Sequence, residues 1–434
     1  VNVIQELPQT LAAWLAYIEA LHPKSIEMGL ERVNLVRQRL SLPSTFPVII
    51  VAGTNGKGST CAMLERIYHE AGYRVGCYTS PHLLRYNERV RVACSEASDV
   101  DLCAAFAAVE AARQDTALTY FEFGTLAAYW HFAHAGLDVA ILEVGLGGRL
   151  DAVNSFEPAC SIVTSVAMDH MDFLGNDRES IGYEKAGVYR SDVPAICGDL
   201  NPPASLLGHA ERIHANLLLI GRDFSCYRDG EGWHYRGMQA MDDLPLPALA
   251  GDFQLYNAAS VTATVEQLQS MLPVTQAVLA RALTTVQLSG RFERISQQPD
   301  VILDVAHNPH AAEALADNLA NTPCRGKTLA VFAMLADKDI AGVVEKVAAG
   351  IDAWYLADIS NPRGATAQRL ADEVLRVLPD EAPSVACYPD VVSAYQQAYM
   401  QASKNDRIIV FGSFFTVADA MHAASAIHSE TQDS

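Results

Sequence analysis

The segment Gly53-Thr54-Asn55-Gly56-Lys57-Gly58-Ser59 lies between an apolar run, Val48 to Ala52, and a helical pattern carrying Met63, Leu64, Ile67 and Tyr68, with Gly72 as its stop. Strand, glycine turn and helix start in that order commit this part of the chain to an α/β fold. Glycines let backbone N–H groups wrap a phosphate, the helix dipole favours the anion, and Lys57 would reach the terminal phosphates. The strict G-x-x-x-x-G-K-[ST] form is not met, because Val51 takes the first glycine position and Gly58 intervenes before the hydroxyl of Ser59. A glycine-rich turn without a ligand is the alternative, and the flanking strand and helix weigh against it.

The same alternation continues along the chain. Apolar runs at 75–79, 139–144 and 161–166 predict further strands, with helices over 101–112 and 119–135. Residues 224–238, with Asp229-Gly230 at their centre, read as an antiparallel hairpin on the edge of a parallel sheet. The polar segment 287–299 breaks the rhythm, which restarts at 301–303 and continues at 328–332, 353–357, 384–388 and 407–411. The expectation is a P-loop-containing, mostly parallel sheet domain over 1–290, followed by a smaller Rossmann-like α/β domain over 291–434. Two cores suit 434 residues, half of them hydrophobic. The polar tail 429–434 reads as frayed.

A formal charge of -20, from 51 acidic and 31 basic residues, argues against a nucleic-acid partner. Anionic substrates must then be held by local devices: metal ions, backbone N–H groups and a few placed cations. Nine scattered cysteines without a C-x-x-C pair read as reduced thiols. With no basic leader and no apolar run long enough to span a bilayer, a cytoplasmic address and no membrane partner are expected.

Several further residues invite chemistry. Glu143 ends a predicted strand, on the ligand side of a parallel sheet, within reach of a magnesium ion on loop-bound phosphates. The glycine run behind it, Gly145-Leu146-Gly147-Gly148, fails the G-x-G-x-x-G dinucleotide spacing. Ser80-Pro81-His82 and Asp169-His170 each follow a predicted strand, so hydroxyl, carboxylate and imidazole could converge on one edge. A lone histidine is more often a satisfied polar residue than a magnesium ligand, since magnesium prefers oxygen. Lys185 is, on pattern alone, a surface lysine of a helix. Asp304-Val305-Ala306-His307-Asn308-Pro309-His310 begins at a predicted strand end, with Pro309 opening a helix. Arg291 divides between a surface arginine and a cation for a nucleotide.

Taken together, G-T-N-G-K-G-S at 53–59, T-S-P-H at 79–82, E-V-G-L-G-G-R-L-D-A at 143–152, D-H at 169–170, E-K-A-G at 184–187 and D-V-A-H-N-P-H at 304–310 resemble the bifunctional dihydrofolate synthase/folylpolyglutamate synthases of the Mur ligase superfamily. The resemblance covers nearly the whole chain. It implies that Thr54, Asn55, Gly56, Lys57, Gly58 and Ser59 bind ATP phosphates, and that Asn257, Arg291, Asp304 and His307 hold the nucleotide. It makes Ser80, Glu143 and His170 ligands of magnesium, two ions being expected. Lys185 matches the lysine that carbon dioxide converts to a carbamate beside the second metal, a reaction that needs the neutral amine. Lys57, Lys185 and His170 are the residues expected to serve catalysis.

Glu27-Met28-Gly29-Leu30, Thr119-Tyr120-Phe121-Glu122 and Leu150-Asp151-Ala152 match the family's dihydropteroate pocket, with Glu27 where aspartate is frequent. About fifty residues precede the loop, too few for the UDP-binding domain of cell-wall Mur ligases, which favours the folate branch. The implied reaction activates a carboxylate of 7,8-dihydropteroate or a reduced folate with ATP as an acyl phosphate, and couples it to L-glutamate. A monomer is the family's expectation. A P-loop phosphotransferase and a nucleotide-binding scaffold are the rival readings; neither accounts for the ordered motifs from Glu143 to His310.

Overall fold

The computed structural model describes residues 7–24, 26–42, 45–378 and 384–432. The chain divides into two compact units, Val1–Ala248 with Gln254–Val286, and Leu249–Phe253 with Gln287–Ser434.

The first unit is built on an eight-stranded sheet. Its strands are β1 (Val48–Ala52), β2 (Val75–Tyr78), β3 (Val90–Val92), β4 (Ser95–Glu96), β5 (Val139–Glu143), β6 (Cys160–Val163), β7 (Pro194–Cys197) and β8 (Asn216–Leu219), in the order β4-β3-β2-β5-β1-β6-β7-β8. Along the order from β2 to β8 the neighbours run parallel, and the β2–β3 and β3–β4 pairs at the other end are antiparallel. Both β1 and β5 are buried along their whole length, which is why they read as unbroken apolar runs. Val51 pairs with Glu143 and Ala52 with Val163, so the segments leaving β1, β5 and β6 emerge side by side. β2 joins them through Tyr78 and Leu142. The register thus gathers the phosphate loop, Ser80, Glu143 and the segment toward His170 at one sheet edge.

Two expectations for this unit are corrected. The strand expected over 161–166 stops at Val163, because residues 164–167 turn their hydrogen bonds to the phosphate loop instead of a neighbouring strand. The hairpin over 224–238 exists as β9 (Ser225–Asp229) and β10 (Gly232–Arg236), but it is not an edge of the parallel sheet. β10 spends its second edge on β11 (Ala240–Pro245), closing a separate three-stranded sheet. Trp233 and Tyr235 are buried, and the Tyr235 hydroxyl donates to Glu266 at 2.7 Å on the helix Phe253–Gln267.

The second unit carries β12 (Glu293–Gln297), β13 (Asp300–Leu303), β14 (Thr328–Phe332), β15 (Ala353–Ala357), β16 (Ser384–Tyr388) and β17 (Arg407–Phe411), ordered β12-β13-β17-β14-β15-β16. All neighbours are parallel except β12 and β13. β12 falls inside the segment read as a polar break. An edge strand with half its residues toward water has no apolar signature. The tail expected to fray is partly helical, since the last helix runs Phe414–Gln432.

Candidate active site

The phosphate loop is shaped by two close approaches. Gly53 (φ +145°) passes so near Thr164 that a Cβ would collide with its hydroxyl, and a Cβ on Gly56 (φ +88°) would lie 2.6 Å from Asn257 Oδ1. Thr54 N–H donates to Ser165 O at 2.8 Å, and the Thr54 hydroxyl donates to Ala167 O at 3.1 Å while accepting the Ala167 N–H at 3.0 Å. Asn55 N–H donates to Ser165 Oγ at 3.1 Å, and Asn55 O accepts from the Thr164 and Ser165 hydroxyls. The helix Lys57–Glu70 begins at Gly56 without a side-chain cap. Its first N–H groups therefore remain for an anion. Lys57 Nζ curls over the loop, donating to Gly53 O at 3.0 Å and Thr54 O at 3.2 Å.

Behind Gly58, the buried Ser59 hydroxyl accepts from Gln254 Nε2 at 3.1 Å, and Gln254 Oε1 accepts from Asn257 Nδ2 at 2.9 Å. The expected Asn257 is thus brought to the loop, and Gln254 is a residue the sequence reading missed. Its signal was available: it lies three positions before Asn257, on the same helical face.

Glu143 is buried at the end of β5, and its Oε2 accepts the Ser80 N–H at 3.1 Å. His170 has φ 50°, and its N–H donates to Asp169 Oδ1 at 2.9 Å. The segment carrying it is pinned by two residues no pattern singled out. Asp199 accepts the Val166 N–H at 2.6 Å, and Arg178 donates both to Val166 O and to Asp199.

Lys185 departs from the surface position its pattern suggested. It is only 3% exposed, because Gly148 packs against the Glu184 and Lys185 backbone and Arg149 N–H donates to Glu184 O at 2.8 Å. Burial, then the neighbouring Lys57 charge, lowers its amine to about 7, with Asp169 and Asp151 opposing. Burial likewise pushes Asp151 up to about 7, against hydrogen bonds from Leu146, Val153 and Gly145 N–H. A buried lysine and a buried aspartate that both change charge near neutrality face one site.

The residues of the three pocket segments also come together. Gly29 N–H reaches Leu150 O at 3.4 Å, and Arg32 bridges Glu27 and Glu122. Phe121 lies against Gly145, where no Cβ would fit, and its ring is 6.0 Å from that of Tyr78. Met28 lies near Gly147, Leu30 precedes the helix Glu31–Leu40, and Ala152 opens a buried 3-10 turn behind Asp151. Thr119 and Glu122 form the capping box that starts the helix Tyr120–His134, so both hold the fold as well as facing this region.

In the second unit, Asp304 leaves β13 and accepts the Phe292 N–H at 2.9 Å and the Ala306 N–H at 2.8 Å. Burial raises its pKa, with the Arg291 charge opposing. The Arg291 guanidinium lies 5.3 Å from the Phe414 ring centroid, and the His307 ring is 6.2 Å from the same phenyl. Cation and ring make a flat, partly apolar surface of the kind that suits a base or ribose. Asn308 caps the helix Pro309–Asn321 and Pro309 occupies its first turn, as the sequence indicated.

Among the described residues, no group of three or more His, Cys, Asp or Glu side chains could hold a metal ion. The donors at the loop are of another kind: one buried carboxylate, a serine hydroxyl and the phosphates an anion loop would bring. That set fits magnesium, which takes one or two carboxylates and completes its shell with phosphates and water, and not zinc or iron. Among the described residues, no helix is long and apolar enough to cross a membrane.

Two family models match the chain: the Mur ligase middle domain over residues 51–192, and the Mur ligase glutamate ligase domain over 290–414. The sequence is 44% identical over 429 residues, 98% of either chain, to the dihydrofolate synthase/folylpolyglutamate synthase of Escherichia coli (strain K12). The fold is similar to that of E. coli FolC in complex with DHPP and ADP, with a TM-score of 0.91 and 44% identity over 97% of this chain and 99% of that one. It is similar, at a TM-score of 0.88 and 45% identity over 97% and 98%, to a bifunctional folylpolyglutamate synthase/dihydrofolate synthase crystallised with Mn, AMPPNP and L-glutamate. With both sequence and fold matched end to end, the chain belongs to the dihydrofolate synthase/folylpolyglutamate synthase family of the Mur ligases.

Proposed function

We propose that this protein is an ATP-dependent ligase adding L-glutamate to 7,8-dihydropteroate, forming dihydrofolate, and to the γ-carboxyl of reduced folates. The observation that carries the reading is Lys185, buried beside Lys57 and Asp151 with its amine lowered to about 7. A simple phosphotransferase has no use for such a lysine, whereas an amine that is neutral near pH 7 can take up carbon dioxide as a carbamate.

A carboxylate is a poor electrophile and needs a leaving group. The acceptor, held against Glu27 to Leu30, Thr119 to Glu122 and Leu150 to Ala152, attacks the γ-phosphorus in line, and ADP departs. Backbone N–H groups of Thr54 to Ser59 and the Lys57 ammonium hold the phosphates, and Lys57 stabilises charge on the transferring group. Asn257, Arg291, Asp304 and His307 hold the rest of the nucleotide. Bound magnesium, two ions held through Ser80, Glu143, His170 and the Lys185 carbamate, would neutralise the phosphate oxygens. The amine of glutamate then adds to the acyl phosphate, and collapse of the tetrahedral adduct releases inorganic phosphate and the amide.

The same reading divides the chain into an ATPase domain over 1–290 and a C-terminal Mur-ligase-type domain over 291–434, and makes the protein a monomer. The matches at 51–192 and 290–414 support that division. A cytoplasmic location is supported by nine unpaired thiols, five of them intermediate or exposed.

Mass spectrometry of a reaction with magnesium ATP, glutamate and either dihydropteroate or tetrahydrofolate tests the function. Glutamylated product from both acceptors, with ADP, is expected. Product from tetrahydrofolate alone would reduce the protein to a polyglutamate synthase, and a stable phosphorylated product without use of glutamate would make it a phosphotransferase.

A further inference from the structure

In a chain of net charge -20, four arginines of the first unit near the site are committed to carboxylates. Arg32 pairs with Glu27 and Glu122, Arg91 with Glu65, Arg149 with Glu184 and Arg178 with Asp199. Arg89 differs. It makes no ion pair among the described residues; its Nε donates to His82 Nδ1 at 2.7 Å, and its guanidinium carbon lies 5.4 Å from the Tyr86 centroid and 5.6 Å from the Tyr120 centroid. The rings are locked in turn, His82 and Tyr86 at 6.0 Å and Tyr86 and Tyr120 at 6.1 Å, each pair edge-on. One nitrogen is tied and the plane is boxed, while Nη1 and Nη2 donate to no described residue. That is a preorganised fork of the kind that takes a carboxylate through two N–H groups.

Its place is equally specific. Arg89 O accepts the Thr79 N–H at 2.9 Å, which sets the residue beside Ser80, and Tyr120 belongs to the acceptor pocket. The two acceptors differ in one respect that matters to a cation. Dihydropteroate has a single carboxylate, which reacts. A folate has two, the γ-carboxylate that reacts and an α-carboxylate that does not, and the second must be accommodated in a strongly negative protein.

We propose that Arg89 binds the α-carboxylate of the terminal glutamate of a folate acceptor, so that it serves chain extension and not the first glutamylation. The inference rests on the ligase reading. His82, Tyr86 and Tyr120 act as positioning residues for the guanidinium.

The test compares Arg89→Ala with wild type for KM toward tetrahydrofolate, dihydropteroate and L-glutamate. The KM for tetrahydrofolate should rise about tenfold or more, the loss expected for a charge-assisted hydrogen bond, while that for dihydropteroate moves less than about twofold. Arg89→Lys, which keeps the charge and loses the fork, should fall between. Wild type should also bind a folate analogue with a 4-aminobutyrate tail, which lacks only the α-carboxylate, about tenfold more weakly than tetrahydrofolate, a measurement that needs no variant. Equal affinity for the two ligands, an equal loss with both acceptors, or a change confined to the KM for L-glutamate would overturn the proposal. Failure of wild type to glutamylate either acceptor would instead bring down the ligase reading itself.

Discussion

Each unit contains a parallel strand, a loop and a helix in which the loop carries candidate chemistry, yet the two loops present opposite surfaces. After β1, the helix Lys57–Glu70 starts at a glycine with no side-chain cap, so its N-terminal N–H groups are left for a ligand. After β13, Asn308 Oδ1 accepts the Ala311 N–H at 2.9 Å and Pro309 removes one N–H from the first turn, so the helix end is closed. The first loop can hold an anion with its backbone. The second offers side chains: the Asp304 carboxylate and the Arg291 guanidinium over Phe414. Identical local topology therefore does not imply identical ligands; what occupies the helix N-terminus decides.

The buried groups differ as well: Lys185 and Asp151 lie together near the open loop, whereas Asp304, its pKa raised by burial, is the carboxylate of the closed one. Lys57→Ala should break the first loop's function with the largest effect, a fall in kcat of about a thousandfold, since no other side chain on the loop carries its charge. Circular dichroism should show the fold retained, and wild-type turnover would remove Lys57 from phosphate binding. Lys185→Ala should lose about a hundredfold in activity, part of it returning with added formate or acetate. The amine, with its pKa lowered to about 7, is neutral above that pH and protonated below it. At fixed dissolved carbon dioxide, the carbamate signal in carbon-13 NMR should therefore fade as pH drops through about 7; a signal unchanged from about pH 5 to about pH 9 would exclude the carbamate.

Sharpening the comparison at the second loop, Asp304→Asn keeps the shape and removes the charge opposite Arg291. It should weaken ADP binding about tenfold by calorimetry, and an unaltered affinity would take the nucleotide away from this loop. Asn308→Ala has the smallest expected effect, a loss of about 1 kcal/mol in stability read from the denaturant midpoint, as for other helix caps. A larger loss, accompanied by loss of nucleotide affinity, would mean that this helix end is a ligand site after all.

Much of this was legible in the order of residues. Parallel strands buried on both faces are continuous apolar runs, so β1, β14, β15 and β17 could be bounded to the residue; β16, a half-exposed edge strand, was bounded as well. The polar sequence of β12 hid an edge strand, and nothing local told that β10 would take β11 as its second neighbour and leave the parallel sheet. The phosphate loop was visible through its glycines, whose need is local. Lys185 was named only through the family resemblance; its local pattern read as a surface lysine, because its burial comes from Gly148 and Arg149, some 35 positions earlier in the chain. Asp199 and Arg178 were invisible for the same reason: they act on Val166 across the fold.

By itself, then, the sequence determined the strand–loop–helix order, the glycines that an anion loop requires, and the ordered motifs that mark the family. These depend on neighbours along the chain, through backbone conformation and periodicity. Only the tertiary structure decided which ionisable groups lost their water, which arginines were already neutralised and which one, Arg89, was left boxed by rings with no carboxylate among the described residues. Desolvation and pairing are set by residues distant in sequence, and they govern whether a lysine is a surface charge or a reactive amine.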